Sequence, residues 1–388
     1  MSSLTRRLAV AIGVAQALAY ATTYYIPATM VGVIAASLHL SPTLLLGGFS
    51  WSLLVAGLCA PRVGRAIDRH GGRPMLIAAA LVTSLGLLLL AAASGAVLWY
   101  VAWSVLGVGM AMGLYDAAFS TIGRLLGQDA RPAIVGVTLL GGFASTVGWP
   151  TGTFLVAHLG WRAALLVFAA VQLGVILPIT LRWVPPIAPQ DAASAKAAPG
   201  HAGVAPAPLA GGRRAAFILL AVYFTLRAAI FSIISVHALT LLARLGMSPA
   251  GAVFTASLIG PAQVGARVLD WKFARGLNPL VTSWLGAALL PIGFAALIGG
   301  APPAVFALAY GMSNGILTIS RGTLPMHLFG PEGYATLLGR LALPNLLAQA
   351  AAPTLLAPLI GTLPASWTFA GLLGVSVLVS LCLVPLRR

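Results

Sequence analysis

Apolar runs of about twenty residues follow one another along the whole chain, parted by short loops. Twelve can be traced, at about residues 9–35, 43–62, 75–93, 96–123, 133–157, 161–181, 214–243, 249–268, 279–299, 302–325, 335–359 and 366–385. Each has the length of one helical crossing of a bilayer. The runs are continuous rather than alternating, which excludes a membrane barrel. Of the 388 residues 60% are hydrophobic and only 7% are charged, against about 25% charged in an ordinary soluble domain. No water-soluble fold of this size hides so much apolar surface. The expected fold class is an all-α polytopic membrane protein, with twelve transmembrane helices arranged as two pseudo-symmetric six-helix bundles.

The few charges are placed unevenly. The net charge of +16 invites a nucleic-acid partner, but the basic residues sit in short loops between apolar runs. That is the positive-inside pattern, so no nucleic acid is expected. Arg6 and Arg7, the 62–73 turn, Arg124 with Arg131, Arg182 through Arg214, Arg267 to Arg275, and Arg387 with Arg388 all fall on one side. The other side has Arg162 and Arg244 near helix ends. The reading is an integral protein of the inner or plasma membrane with both termini cytoplasmic. Arg6 and Arg7 before an apolar stretch mimic a signal peptide, but the stretch runs too far and reads as an uncleaved first helix. Cys59 and Cys382 lie within apolar runs and read as small core residues.

The chain also repeats itself. Arg65 and Asp68 recur as Arg267 and Asp270, 202 residues later, and Gly109-Met110-Ala111-Met112-Gly113 corresponds to Gly311-Met312-Ser313-Asn314-Gly315 at the same offset. Gly136 and Pro150 correspond to Gly339 and Pro353 at 203. Parallel repeats of six helices place a substrate site between halves, near the bilayer midplane. The domains are therefore read as 1–184 and 213–388, joined by a Pro-, Ala- and Gly-rich cytoplasmic linker at 185–212.

The densest charge lies in Gly64-Arg65-x-x-Asp68-Arg69-x-Gly71-Gly72-Arg73. With the 6+6 pattern, this stretch resembles the signature turn of the major facilitator superfamily between helices 2 and 3. The glycines suit a tight turn, and the arginines suit an anionic inner leaflet. The resemblance implies a partner for Asp68 at the start of helix 11, where the positive helix end favours a carboxylate. Arg124 and Arg340 are candidate salt-bridge partners. With Gly64, Arg65, Asp68, Arg69, Gly71, Gly72, Arg73, Arg267 and Asp270, they form a gating set that holds the cytoplasmic face closed and breaks during alternating access. The bland alternative is a topogenic loop. Two motifs depart from the superfamily's drug–proton antiporters. Trp103 to Gly109 lacks the helix 4 arginine, and Gly148-Trp149-Pro150-Thr151-Gly152 only approximates the helix 5 motif.

Charged and polar residues inside the spans are the candidate site. Arg227 falls mid-way along helix 7, where a cation is costly unless it faces water or a partner. It reads as an anion-binding or coupling residue, or as half of a structural pair, with Tyr223 one turn before it. Asp116, in helix 4, is the acid well inside a span. Burial and nearby cations push its proton affinity in opposite directions, which suits a proton carrier, or else a static salt bridge. Arg321 lies at similar depth in helix 10 and is a speculative gate partner. Gln16, Tyr20, Thr23 and Pro27 fall at helical spacing along helix 1, flanked by Tyr24 and Tyr25, and the resemblance makes this stripe a cavity wall; Asn314 and Asn345 are further polar candidates, or interhelical glue.

The reading is a secondary active transporter with rocker-switch alternating access, coupled to a proton or another ion. It acts as a monomer, needs no cofactor or metal, and is not an enzyme, since no P-loop or catalytic signature is present. Within the spans Arg227, Arg321 and Arg340 outnumber Asp116, which favours a small organic anion as substrate. Alternatives are a drug or toxic-metabolite efflux antiporter, a copper-type soft-metal transporter using Met110, Met112, Met312, Met326 and His327, and a non-transporting membrane receptor. Met110 and Met112, two residues apart, do not share a helix face, so packing is the better account of them.

Overall fold

The structure is a computed structural model that describes residues 2–186, 211–274 and 276–387. Within these residues the chain is helical throughout. The N-terminal elements are α1 (Ser3–Ala21), α2 (Ile26–Leu38), α3 (Pro42–His70), α4 (Gly72–Ala91), α5 (Ala96–Gly113), α6 (Tyr115–Leu126), α7 (Arg131–Gly141), α8 (Ala144–Val171) and α9 (Leu177–Trp183). A π-helical turn at Gln172–Ile176 joins α8 to α9. Then come α10 (Gly211–Arg244), α11 (Pro249–Ser257), α12 (Ile259–Phe273), α13 (Pro279–Ile298), α14 (Pro303–Phe329), α15 (Tyr334–Thr362) and α16 (Ala365–Leu381). The linker expected at 185–212 lies, apart from its first two and last two positions, outside the described residues.

Among the described residues nine stretches are long and apolar enough to cross a membrane, and one of them, Ala96–Trp183, is 88 residues long. At about 20 residues per crossing that stretch holds several spans. Large apolar side chains face outward along the helices, among them Val97 at 82% and Leu355 at 75% exposure. In water this would be a liability; in lipid it is the natural outer surface.

Local chemistry sets the helix starts. Ser41, Ser248 and Asn278 each precede a proline, and each side chain accepts a hydrogen bond from a backbone N–H two or three residues on. An oxygen-bearing cap followed by proline is the preferred start of a helix.

Four expected spans are broken; residues 133–157 split at Gly142 and Phe143, between α7 and α8. Residues 9–35 split into α1 and α2 at Thr22–Tyr25. There Thr22 and Thr23 donate their hydroxyls to Leu18 O (2.8 Å) and Ala19 O (2.6 Å), and Pro27 has no N–H to continue the ladder. Residues 96–123 split at Leu114, whose backbone is extended (ψ −170°) directly after Gly113. Residues 249–268 split at Leu258. The expected boundary between 133–157 and 161–181 falls inside α8, at Gly160 with φ 77°.

Two compact units are present: the described parts of Met1–Pro208 with Gly330–Leu343, and of Leu209–Phe329 with Pro344–Arg388. The first turns of α15 thus pack with the N-terminal unit. Each unit repeats one packing scheme. In the first, α5 packs on α3 and α4, and α4 on α8; in the second, α14 packs on α12 and α13, and α13 on α16. The core of the first unit is built on Trp99, Trp103, Leu45, Met30 and Phe168. That of the second contains Phe294, Phe306, Tyr310 and Phe369, with ring centroids 5.4–6.4 Å apart.

Candidate functional site

The charged turn is tight because one residue, Gly71 (φ 84°), both ends α3 and begins α4. A residue with a Cβ is strained there. Arg65 and Arg69 are exposed. Arg73 reaches back to donate from Nη2 to Leu181 O at 2.6 Å, and Arg7 donates to Arg182 O at 2.6 Å. Two guanidinium groups therefore satisfy the last carbonyls of α9, where a helix end favours cations.

Asp68 points at the first turn of α15. Its Oδ2 accepts from Thr336 N (2.7 Å) and Thr336 Oγ1 (2.6 Å), and its Oδ1 from Ala335 N (3.3 Å). The sequence offers Arg124 and Arg340 as salt-bridge partners; in the structure the carboxylate is taken instead by these N–H and O–H donors. A helix start carries several backbone donors with no partner within the helix, and they suit a carboxylate. Arg340 is exposed. Around this contact Ile67 of α3, Ala117 of α6 and Ala335 of α15 form one buried cluster. The helices meet closely: a Cβ on Gly64 would collide with the Ala335 carbonyl, and one on Gly339 with the Ala60 carbonyl. Asp116, on α6, is partly buried and acts electrostatically on the buried Tyr334, the first residue of α15. The counterpart pair Arg267 and Asp270 is buried on α12 of the other unit.

Helix 1 carries its polar residues into two settings. Gln16 is 2% exposed and donates from Nε2 to Gly113 O at 2.6 Å, at the break between α5 and α6. Thr23 is 1% exposed, with its hydroxyl committed to Ala19 O. Tyr20 and Tyr24 are partly exposed and join an aromatic face with Tyr115 and Phe49, at ring separations of 4.8–5.7 Å.

Arg227 is a buried cation of the second unit, 9% exposed on α10. Its Nη2 donates to Asn314 Oδ1 at 2.6 Å and Thr318 Oγ1 at 3.2 Å, both on α14. Thr318 was not singled out from the sequence, although its place one turn after Asn314 puts it on the same face. Both acceptors are neutral, and among the described residues Arg227 has no carboxylate partner. Both bonds use Nη2, and Nε and Nη1 make no hydrogen bond among the described residues. Arg267, Arg321, Tyr223 and Tyr310 lie near enough to act on it electrostatically. Tyr223 is wholly buried, and its hydroxyl has no hydrogen-bond partner.

Asn345 serves another purpose. It donates to Phe224 O at 3.2 Å and accepts from Gln349 Nε2 at 2.7 Å. Gln349 O is left without its helical donor because Pro353 has no N–H, and Ser232 of α10 donates to it at 2.6 Å. These bonds stitch α15 to α10, the role of interhelical glue.

Long apolar helices, broken within the apolar stretches and carrying buried polar and charged groups, define a polytopic membrane protein. The chain belongs to the major facilitator superfamily, whose family model matches residues 12–353. Members of that family are transporters, not enzymes. The chain is 31% identical over 294 residues to an uncharacterized 38 kDa protein in the 23S RNA operon of Thermoproteus tenax, covering 74% of this chain and 71% of that protein. It is 28% identical over 277 residues to human monocarboxylate transporter 11, covering 66% of this chain and 56% of the human protein. In fold it is similar to the human organic anion transporter MFSD10, with a TM-score of 0.77 and 17% identity over 99% of this chain and all of that one. It is also similar to the proton:xylose symporter XylE, with a TM-score of 0.69 and 16% identity, covering 98% and 95% of the two chains.

Proposed function

We propose that this protein is a proton-coupled secondary active transporter of small organic anions, working by alternating access as a monomer in the inner or plasma membrane. The observation that carries the substrate class is Arg227: a buried guanidinium held by two neutral acceptors through Nη2, with Nε and Nη1 uncommitted. A buried cation is stable only when a counter-charge or strong acceptors compensate it. Nη1 and Nε still have N–H groups to offer a carboxylate in a charge-assisted hydrogen bond. Asn314 and Thr318 hold the guanidinium in place for it. Names of similar proteins agree in kind, since one is a monocarboxylate transporter and another an organic anion transporter.

Asp116 is the proposed proton carrier. It is partly buried, beside the first turn of α15, which also receives Asp68. The Asp68 contact is the proposed latch of the cytoplasmic side, with the termini and the 185–212 linker on that side. The two halves of the machine are residues 1–184 and 213–388.

The test is uptake of labelled monocarboxylates into proteoliposomes under an imposed pH gradient. Accumulation driven by the gradient, and abolished in Arg227→Ala with the protein still inserted, supports the reading. Equal flux in that variant, or flux indifferent to the gradient, overturns the anion or the proton part respectively.

A further inference from the structure

A small cavity lies wholly inside the N-terminal unit. Its volume is about 30 Å³, and it is lined by α1, α4, the last turn of α5, the π-helical turn and α9. Its walls are mostly apolar, from Ala15, Ala80, Met110, Leu114 and Ile176, but Gln16, Thr83 and Gln172 interrupt them.

Gln16 is the informative wall. The Gly113 carbonyl can only accept, so the amide must turn its Nε2 towards it, as it does at 2.6 Å. That orientation sends Oε1 the other way. Gln16 Oε1 is buried and has no hydrogen-bond partner. A buried acceptor left unmade costs as much as a lost hydrogen bond, and native proteins rarely tolerate it. The nearby hydroxyls do not supply the missing proton. Thr23 donates to Ala19 O at 2.6 Å and Thr180 to Ile176 O at 2.9 Å, while Gln172 spends its Nε2 on Thr22 at 2.8 Å.

The Gln16 acceptor is therefore left without a protein donor at the cavity wall. Its occupant must be a hydrogen-bond donor. Size narrows the class: one water needs about 10–15 Å³ by this measure, and an organic anion needs far more. We propose that this cavity is an internal hydration site, holding one or two waters that donate to Gln16 Oε1 and solvate the broken end of α5. The position gives the site its consequence. Water stands where α5 stops at Gly113 and where the π-helical turn begins at Gln172, two places where the backbone ladder is already interrupted. The cavity shares no lining residue with the Arg227 site and does not depend on the identity of the transported substrate.

Hydroxyl-radical labelling of the full chain in nanodiscs, read by mass spectrometry, tests this directly. Radicals form from water beside the side chain they attack. Met110 lines the cavity at 4% exposure, while Met30 is buried at 0% in the apolar core around Trp99 and Trp103. The expected result is oxidation of Met110 with Met30 untouched, and loss of the Met110 signal in Gln16→Leu. The near-isosteric Thr83→Val, which removes only a hydroxyl from the wall, is expected to lower the same signal and carries the test if Gln16→Leu fails to insert. Protection of Met110 equal to that of Met30, or undiminished labelling in both variants, overturns the proposal.

Discussion

Thr336 gives Asp68 two hydrogen bonds at once, from its backbone N (2.7 Å) and its hydroxyl (2.6 Å), both to Oδ2. The residues are 268 positions apart in sequence. The carboxylate meets a helix start, so charge, dipole and hydrogen-bond geometry act together.

Asp68→Asn keeps the shape of this contact and removes its charge. We expect a loss of about 1–3 kcal/mol, the worth of hydrogen bonds to a charged group. The decisive measurement is a double-mutant cycle with Thr336→Val, followed by thermal unfolding in detergent. Strictly additive losses would mean that the two residues do not interact.

Gly339 and Gly64 permit the approach of α15 to α3. Gly339→Ala forces a methyl into the Ala60 carbonyl, and backbone cannot move as a side chain can. A loss of about 1–3 kcal/mol is expected for such overpacking. Gly374→Ala, where nothing lies within 4 Å, is the control and is expected to be neutral or slightly stabilising. Equal melting temperatures for the two variants would refute the close contact.

Arg227→Lys preserves the charge and loses the fork. Lysine is a point charge and cannot hold Asn314 and a carboxylate in one plane. Apparent affinity for the transported anion is expected to fall about tenfold or more, the equivalent of one lost charge-assisted bond. Unchanged affinity in a proteoliposome uptake assay would rule out recognition of the anion by the guanidinium.

Asn314→Asp sets a carboxylate where Arg227 now finds a neutral oxygen at 2.6 Å. The internal ion pair is expected to compete with the anion, so the variant inserts and folds yet loses anion-dependent thermal stabilisation. Asn314→Ala is expected to keep part of it. Wild-type ligand stabilisation in Asn314→Asp would show that the anion binds elsewhere.

Asp116→Asn removes the proposed proton carrier. Accumulation against a gradient is expected to disappear, while exchange of labelled for unlabelled anion continues. Accumulation that still follows the imposed pH gradient would exclude Asp116 from coupling.

Much of the fold was legible in the residues themselves. Apolar run length names a membrane helix because lipid offers no partner for an open backbone group. The 202-residue echo of Arg65 and Asp68 announced two related sets of helices, and each unit indeed repeats the packing of its third, fourth and fifth partners. Breaks at Thr22–Tyr25 and Leu114 were missed, although Thr-Thr before Pro27 and Gly109 with Gly113 were their signals. Hydrophobicity stays high across both, so a reading by run length passes over them.

Sequence by itself determined the solvent, the family and the short list of costly residues, because each follows from what single side chains cost in lipid. It pointed to Arg227 and Asp116 by rarity alone. Only the tertiary structure decided what these residues touch. Asp68 takes the donors of Ala335 and Thr336 rather than Arg124 or Arg340, Arg227 meets amide and hydroxyl rather than acid, and Gln16 gives its amide to the Gly113 carbonyl beside a small cavity. The physical reason is common to all three. A hydrogen bond depends on where two atoms converge to within about 3 Å, and that is set by helix packing between segments far apart in the chain.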